Sequence, residues 1–120
     1  MQEYGPKIAV SQNGAVTVVE LLDEEILDEN TINDISDSLF SVVDDNAPVQ
    51  LLISFSRVKH LSSSALGTLI RLSKRVDESS GALKLCSIRQ SLYEIFVITK
   101  LNKLFDIYKD EEVALSSFSG

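Results

Sequence analysis

The stretch V-K-H-L-S-S-S-A-L-G-T-L-I, residues 58–70, decides how the rest of the chain is read. Just upstream, Leu51, Leu52, Ile53 and Phe55 form a short apolar run, the pattern of a strand covered on both faces. Downstream, Leu66, Leu69, Ser73 and Val76 recur at the three-to-four-residue spacing of one helix face. Ser62, Ser63 and Ser64 therefore stand where a strand gives way to a helix over residues 62–77. A helix N-terminus exposes backbone N–H groups that lack an intrahelical acceptor, together with the positive end of the helix dipole. A serine hydroxyl there serves either as a cap or as a site made ready for a phosphate.

Working outward from that turn, K-I-A-V-S (7–11) and A-V-T-V-V-E (15–20) flank Gln12-Asn13-Gly14, whose Asn-Gly pair suits the tight turn of an antiparallel hairpin. A helix follows with Ile32, Ile35, Leu39, Val42 and Val43 on one face, and Asn30 is expected as its N-cap. Residues 49–55 read as a central strand, and 82–88 as the next one after the break at Ser79-Ser80-Gly81. Strand, helix, strand implies a parallel pair joined by a right-handed crossover. A short helix at 91–98 should turn Leu92, Ile95, Phe96 and Thr99 inward, and a last strand is expected at 105–108. Asp110 should cap a terminal helix whose Glu111 and Glu112 complement its dipole. Phe96 and Phe105 are expected in the core, while Tyr93 and Tyr108 are candidates for the surface.

These elements form one α/β domain over residues 1–120, with an ordered core at about 7–118: a small mixed sheet, an N-terminal antiparallel hairpin and helices packed on the sheet. The chain has 44% hydrophobic and 24% charged residues, the balance of an ordinary globular domain. No apolar run approaches the about 20 residues that span a bilayer. Met1-Gln2-Glu3-Tyr4 lacks the basic and apolar parts of a signal peptide, so a cytoplasmic location is expected. Cys86 is the only cysteine, which excludes an internal disulfide, and its apolar surroundings fit a buried strand position.

The net charge of −7 argues against nucleic acid, which is bound through clusters of Lys and Arg. Ten of the eighteen acids lie within residues 20–45, where there is no Lys or Arg. Such a run is either a solvated face or a surface that steers a basic protein partner. Enzyme motifs are missing. Leu61-Ser62-Ser63-Ser64-Ala65 is not the G-x-S-x-G of a nucleophile elbow, and His60 has no identifiable acid partner. Neither a G-x-x-x-x-G-K-[ST] loop nor a Cys/His cluster of metal-ligand spacing is present, so no cofactor and no metal is expected.

The order of elements and the stretch at 58–70 together resemble the STAS domain of bacterial anti-sigma factor antagonists, in which a strand ends in D-S-S-G-L-G. Two further segments agree and fall in the same order. Leu27-Asp28-Glu29-Asn30-Thr31 is similar to the family's L-D-x-x-T, and the run from Glu94-Ile95-Phe96 to Leu101-Asn102-Lys103-Leu104-Phe105 is similar to its late E-V-F…L-x-x-L-F. The resemblance covers nearly the whole chain. It implies a regulatory protein-binding domain without catalytic activity, whose phosphoacceptor, anchored on Leu66-Gly67, falls at Ser63. It further implies a contact surface made of Asp28, Ser62, Ser64, Ala65, Leu66, Gly67 and Thr68. The implied partners are an anti-sigma factor that is also a serine kinase, and a serine phosphatase, with the domain itself a monomer or weak dimer and no role for a membrane.

Two positions depart from the family pattern. Ser62 stands where the family has Asp, which removes a negative charge beside the acceptor, and Ala65 replaces the following Gly, adding a methyl that can obstruct close approach. The departures keep a second role open, that of a STAS scaffold or sensor component in a stressosome-like assembly of STAS proteins with no phosphorylation switch of its own.

Overall fold

The computed structural model describes residues 4–119; Met1-Gln2-Glu3, read above for a signal peptide, and Gly120 lie outside the described residues. β1 (Ile8–Asn13) and β2 (Val16–Leu21) pair antiparallel from Asn13↔Val16 to Ile8↔Leu21. Their turn is Gly14-Ala15, one residue later than expected, with Asn13 inside the strand. Gly14 has φ +60°, the conformation needed at the first position of such a two-residue turn, and it adopts it without a Cβ clash.

The chain continues through β3 (Glu25–Ile26), α1 (Glu29–Asp45), β4 (Gln50–Ser54), β5 (His60–Leu61), α2 (Ser63–Glu78) and β6 (Ala82–Cys86). Then come α3 (Gln90–Ile98), a 3₁₀ turn at Leu101–Lys103, β7 (Asp106–Tyr108) and α4 (Glu111–Ser119). The main sheet has the order β1-β2-β4-β6-β7, with every pair beyond the first hairpin parallel. β3 and β5 make a separate two-stranded parallel sheet. From β2 to β7 the strand order never reverses, so the sheet lacks the switch-point crevice in which open α/β folds hold nucleotides.

One face of the sheet packs against α1, α2 and α3. The apolar stripe expected of α1, Ile32, Ile35, Leu39, Val42 and Val43, is buried there, as are Leu66, Leu69, Leu72 and Val76 of α2. Phe96 of α3 joins Phe55 and Phe105 edge-on, with ring centroids 6.4 and 6.3 Å away. α1 and α2 are also tied outside the core, where Arg75 donates to both carboxylate oxygens of Asp44 at 2.9 Å and lies over the Phe40 ring. Thr99 does not turn inward as expected. It is exposed at the end of α3, where its hydroxyl donates to the Ile95 carbonyl at 2.8 Å.

The opposite face carries a smaller core of Val16, Val18, Leu52 and Cys86 beneath Ala114 of α4. Asp110 starts α4 as expected, its carboxylate accepting from the Val113 amide at 2.9 Å. Lys84 fastens the other end. Its Nζ donates to the Ser117 carbonyl and hydroxyl and sits over the Tyr108 and Phe118 rings. β6 stops at Cys86, short of the expected Ile88, because Ser87 has φ +61°. Among the described residues no helix is long and apolar enough to cross a membrane.

Candidate functional site

Two very short strands position the site. β3 and β5 pair Glu25 with His60 and Ile26 with Leu61, and the pairing continues as the Ser62 amide donates to the Ile26 carbonyl at 3.1 Å. Each strand runs directly into a helix, β3 into α1 and β5 into α2, so the two helices start side by side. Nothing in the sequence pattern marks these strands. Two residues are too few for alternation to register, and their existence depends on the pairing itself.

At the start of α1 the last extended residue is Asp28, with φ −90° and ψ 154°, and its carboxylate accepts from the Thr31 amide at 3.1 Å. Asp28 is therefore the N-cap, and Asn30 already lies within the first helical turn. Hydrogen bonds from the Thr31 hydroxyl and then the Thr31 amide hold the Asp28 carboxyl below its ordinary value. This geometry gives a physical meaning to L-D-x-x-T: the Asp caps the helix and the Thr, three residues on, supplies donors.

At the start of α2 the three serines divide their work. Ser62 is the N-cap, its hydroxyl accepting from the Ala65 amide at 3.2 Å. Ser63 and Ser64 are the first helical residues and both are exposed. Their amides precede the first intrahelical bond, and the Ser63 hydroxyl has no hydrogen-bond partner among the described residues. Sequence alone left the choice between cap and phosphate site open for all three. In the structure Ser62 takes the cap, and the exposed Ser63 and Ser64 hydroxyls are both left uncommitted.

The remaining candidates separate by burial. Gly67 is half-buried, while Ala65, Leu66 and Thr68 are buried at 6%, 6% and 3% exposure, too little to offer a partner much surface. Ala65 lines a void of about 20 Å³ between α1, α2 and β3, with Ile26, Ile32, Thr68 and Leu69 around it. That space holds one water at most and no organic ligand. The Ala65 methyl therefore packs between the helices. The Thr68 hydroxyl donates to the Ser64 carbonyl at 3.3 Å and accepts from Arg71 at 3.0 Å, bracing the first turn.

Part of the acidic run is used within the fold. Glu20 faces Arg57, Asp23 faces Lys7, Glu24 faces Lys59 and Asp44 faces Arg75. Glu25, Asp28 and Glu29 remain exposed around the two helix starts. Leu27, beside Asp28, is 50% exposed, a large apolar side chain that sequence reasoning did not single out. His60 is exposed on β5, and its amide donates to the Glu24 carbonyl. Cys86 is buried away from this surface, and burial raises its thiol pKa. No group of three or more His, Cys, Asp or Glu among the described residues is placed to hold a metal ion.

The model of the STAS domain family matches residues 7–114. Among solved structures, an anti-sigma-factor antagonist (STAS) domain protein from Planctomyces limnophilus superposes with a TM-score of 0.87 at 23% identity, over 94% of this chain and 98% of that one. An anti-sigma factor antagonist from Mycobacterium paratuberculosis gives 0.82 at 25% identity, over 94% and 93%. The Bacillus cell fate determinant SpoIIAA in its phosphorylated form gives 0.68 at 16% identity, over 92% and 98%. These likenesses are likenesses of fold.

Proposed function

The chain belongs to the STAS domain family, and on that footing we propose that it is an anti-sigma factor antagonist switched by a phosphate on Ser63. The observation that carries this proposal is at the start of α2: Ser62 caps the helix, which leaves the exposed hydroxyls of Ser63 and Ser64 uncommitted, and of the two it is Ser63 on which the motif anchored at Leu66-Gly67 falls. The partner is a serine-kinase anti-sigma factor. It transfers the terminal phosphoryl group of its nucleoside triphosphate to Ser63 Oγ, the hydroxyl proton leaves, and the diphosphate is released. A serine phosphatase reverses the change by hydrolysis. Both act in the cytoplasm.

The docking surface is made of Leu27, Asp28, Ser63 and Ser64, edged by Ser62 and Gly67. Ala65, Leu66 and Thr68 act from below by holding the first turn of α2 against α1. Phosphate adds about −1.5 to −2 charges and acceptor oxygens where the helix start tolerates them, so the fold survives the modification. Docking does not survive, because the partner would have to bury an unpaired dianion beside the ionised Asp28. Ser62 in place of the family's Asp retains the cap while lowering the local negative charge.

The test is affinity for the cognate anti-sigma factor. Ser63→Ala should bind constitutively and Ser63→Asp weakly, whereas equal affinities reject the switch. The departures at Ser62 and Ala65 support a second role, a scaffold or sensor component assembled with other STAS proteins. A large assembly that retains other STAS proteins through purification, with unmodified Ser63, would favour it.

A further inference from the structure

The exposed apolar surface of this protein is unevenly placed. Of the five large apolar side chains left exposed among the described residues, Val97, Ile98 and Leu104 fall in one segment, where α3 ends and the 3₁₀ turn leads into β7. Ile98 is 80% exposed. Lys100 and Lys103 stand in the same segment, both exposed in a chain of net charge −7, and neither has an ion-pair partner among the described residues. A fourth exposed apolar side chain, Leu27, lies among Glu25, Asp28 and Glu29, which are also exposed and outside any ion pair among the described residues. Lys59, next to β5, does not offset these acids, because it faces Glu24 at 3.4 Å.

The topology puts these two patches at opposite ends of the sheet. β2, β4, β6 and β7 run parallel. α1 and α2 follow β2 and β4 by way of β3 and β5, so Leu27 and its acids stand at the carboxyl ends of the strands. Residues 97–104 lead into β7 and therefore stand at the amino ends. One end presents apolar surface with unpaired anions, the other apolar surface with unpaired cations. Opposite charges set across a contact steer the encounter and fix its register. Two different patches that fit each other make a heterologous contact, which repeats from copy to copy.

We infer that the chain associates head to tail, the 97–104 face of one copy docking on the Leu27 face of the next. Val97, Ile98 and Leu104 cover Leu27, while Lys100 and Lys103 meet Glu25 and Glu29. The occupant is a second copy because the acidic, apolar patch that complements the 97–104 face is present on the chain itself, at the end that a translated neighbour turns toward it. An anionic bilayer suits this face less well, since it attracts two lysines and repels a chain of net charge −7. A contact centred on four apolar side chains is small, so the association is weak. It covers the surface proposed above for the anti-sigma factor, so the two compete, and it requires no phosphate on Ser63.

Sedimentation of the full chain across micromolar to millimolar concentrations tests the inference with no other protein present, so its outcome is independent of the Ser63 switch. The unaltered chain should associate as concentration rises. Lys100→Glu with Lys103→Glu should weaken that association by about tenfold or more, as should Glu25→Lys with Glu29→Lys, because each sets like charges opposite each other. Mixing the two double variants brings opposite charges together again and should restore it. Amide chemical shifts of the unaltered chain give an independent readout, moving with concentration both at residues 25–29 and at residues 97–104. A chain that stays monomeric, whether or not it binds phosphatidylserine vesicles, overturns the inference. So does a mixture that fails to restore association, or a shift confined to one of the two patches.

Discussion

Asp28 and Ser62 leave the same two-stranded sheet side by side, and each caps the helix that follows it. The Asp28 carboxylate takes the Thr31 amide at 3.1 Å and the Ser62 hydroxyl takes the Ala65 amide at 3.2 Å. The site is therefore a pair of helix starts locked in register by β3 and β5, and its chemistry lies in what the caps leave free.

If Ser62 is only a cap, its hydroxyl is replaceable by any acceptor of similar reach. Ser62→Ala should lower stability by about 1 kcal/mol and Ser62→Asp should not, because a carboxylate caps as well and suits the dipole. Urea unfolding of the two variants checks this. An equal loss in both would mean that Ser62 is more than a cap.

Gly67 and Gly81 should respond in opposite ways to alanine. A Cβ at Gly81 would run into the backbone of Val49, which cannot yield without disturbing β4, so Gly81→Ala should cost about 2 kcal/mol or more. A Cβ at Gly67 would meet only the Arg71 guanidinium at 3.6 Å, and Gly67→Ala should stabilise α2 by up to about 1 kcal/mol. A stable Gly67→Ala protein that binds its partner less well would place position 67 at the contact.

Acid should loosen the contact between α1 and α2 before it affects the sheet. Hydrogen bonds from Arg75 hold the Asp44 carboxyl below its ordinary value, and those from Thr31 do the same for Asp28. A carboxyl depressed on folding stabilises the fold above its unfolded value of about 4 and loses that contribution as pH falls through the lower folded value. Urea midpoints should therefore fall below about pH 4, and Asp44→Asn with Asp28→Asn should flatten that dependence. An unchanged slope in the double variant would assign the acid sensitivity to other carboxyls.

Lys84 should control access to Cys86. It holds the last turns of α4 through Ser117, Tyr108 and Phe118, while Ala114 of the same helix covers the thiol. Labelling of the native protein by an aromatic disulfide reagent should be slow, since the thiol is buried and its pKa raised by that burial. Lys84→Ala should speed labelling with little effect on the hairpin. Unchanged labelling would mean that the apolar contacts alone hold α4.

Much of this fold is legible in the residues, for reasons that also mark where legibility ends. The α1 stripe, the apolar run of β4 and the Asp110 cap depend on neighbours a few positions apart, and all stand where periodicity puts them. Asn30 is not the cap that its residue type suggests, since Asp28, Asn30 and Thr31 all suit a cap by type and only φ and ψ show that Asp28 is the last extended residue. The turn at Gly14-Ala15 slipped by one because Asn-Gly favours its own turn, while the register with β2 favours the next. β3 and β5, which create the site, have no local signature at all. Among the three serines the motif marks Ser63, but which of them caps the helix is decided only by the Ser62 hydroxyl accepting from the Ala65 amide.

The most direct test is intact mass with phosphopeptide mapping, on the protein taken from its native cell during growth and under stress. The proposed switch requires one phosphate, on Ser63, whose occupancy changes between the two conditions. Unmodified protein in both, or a phosphate confined to Ser62 or Ser64, contradicts it.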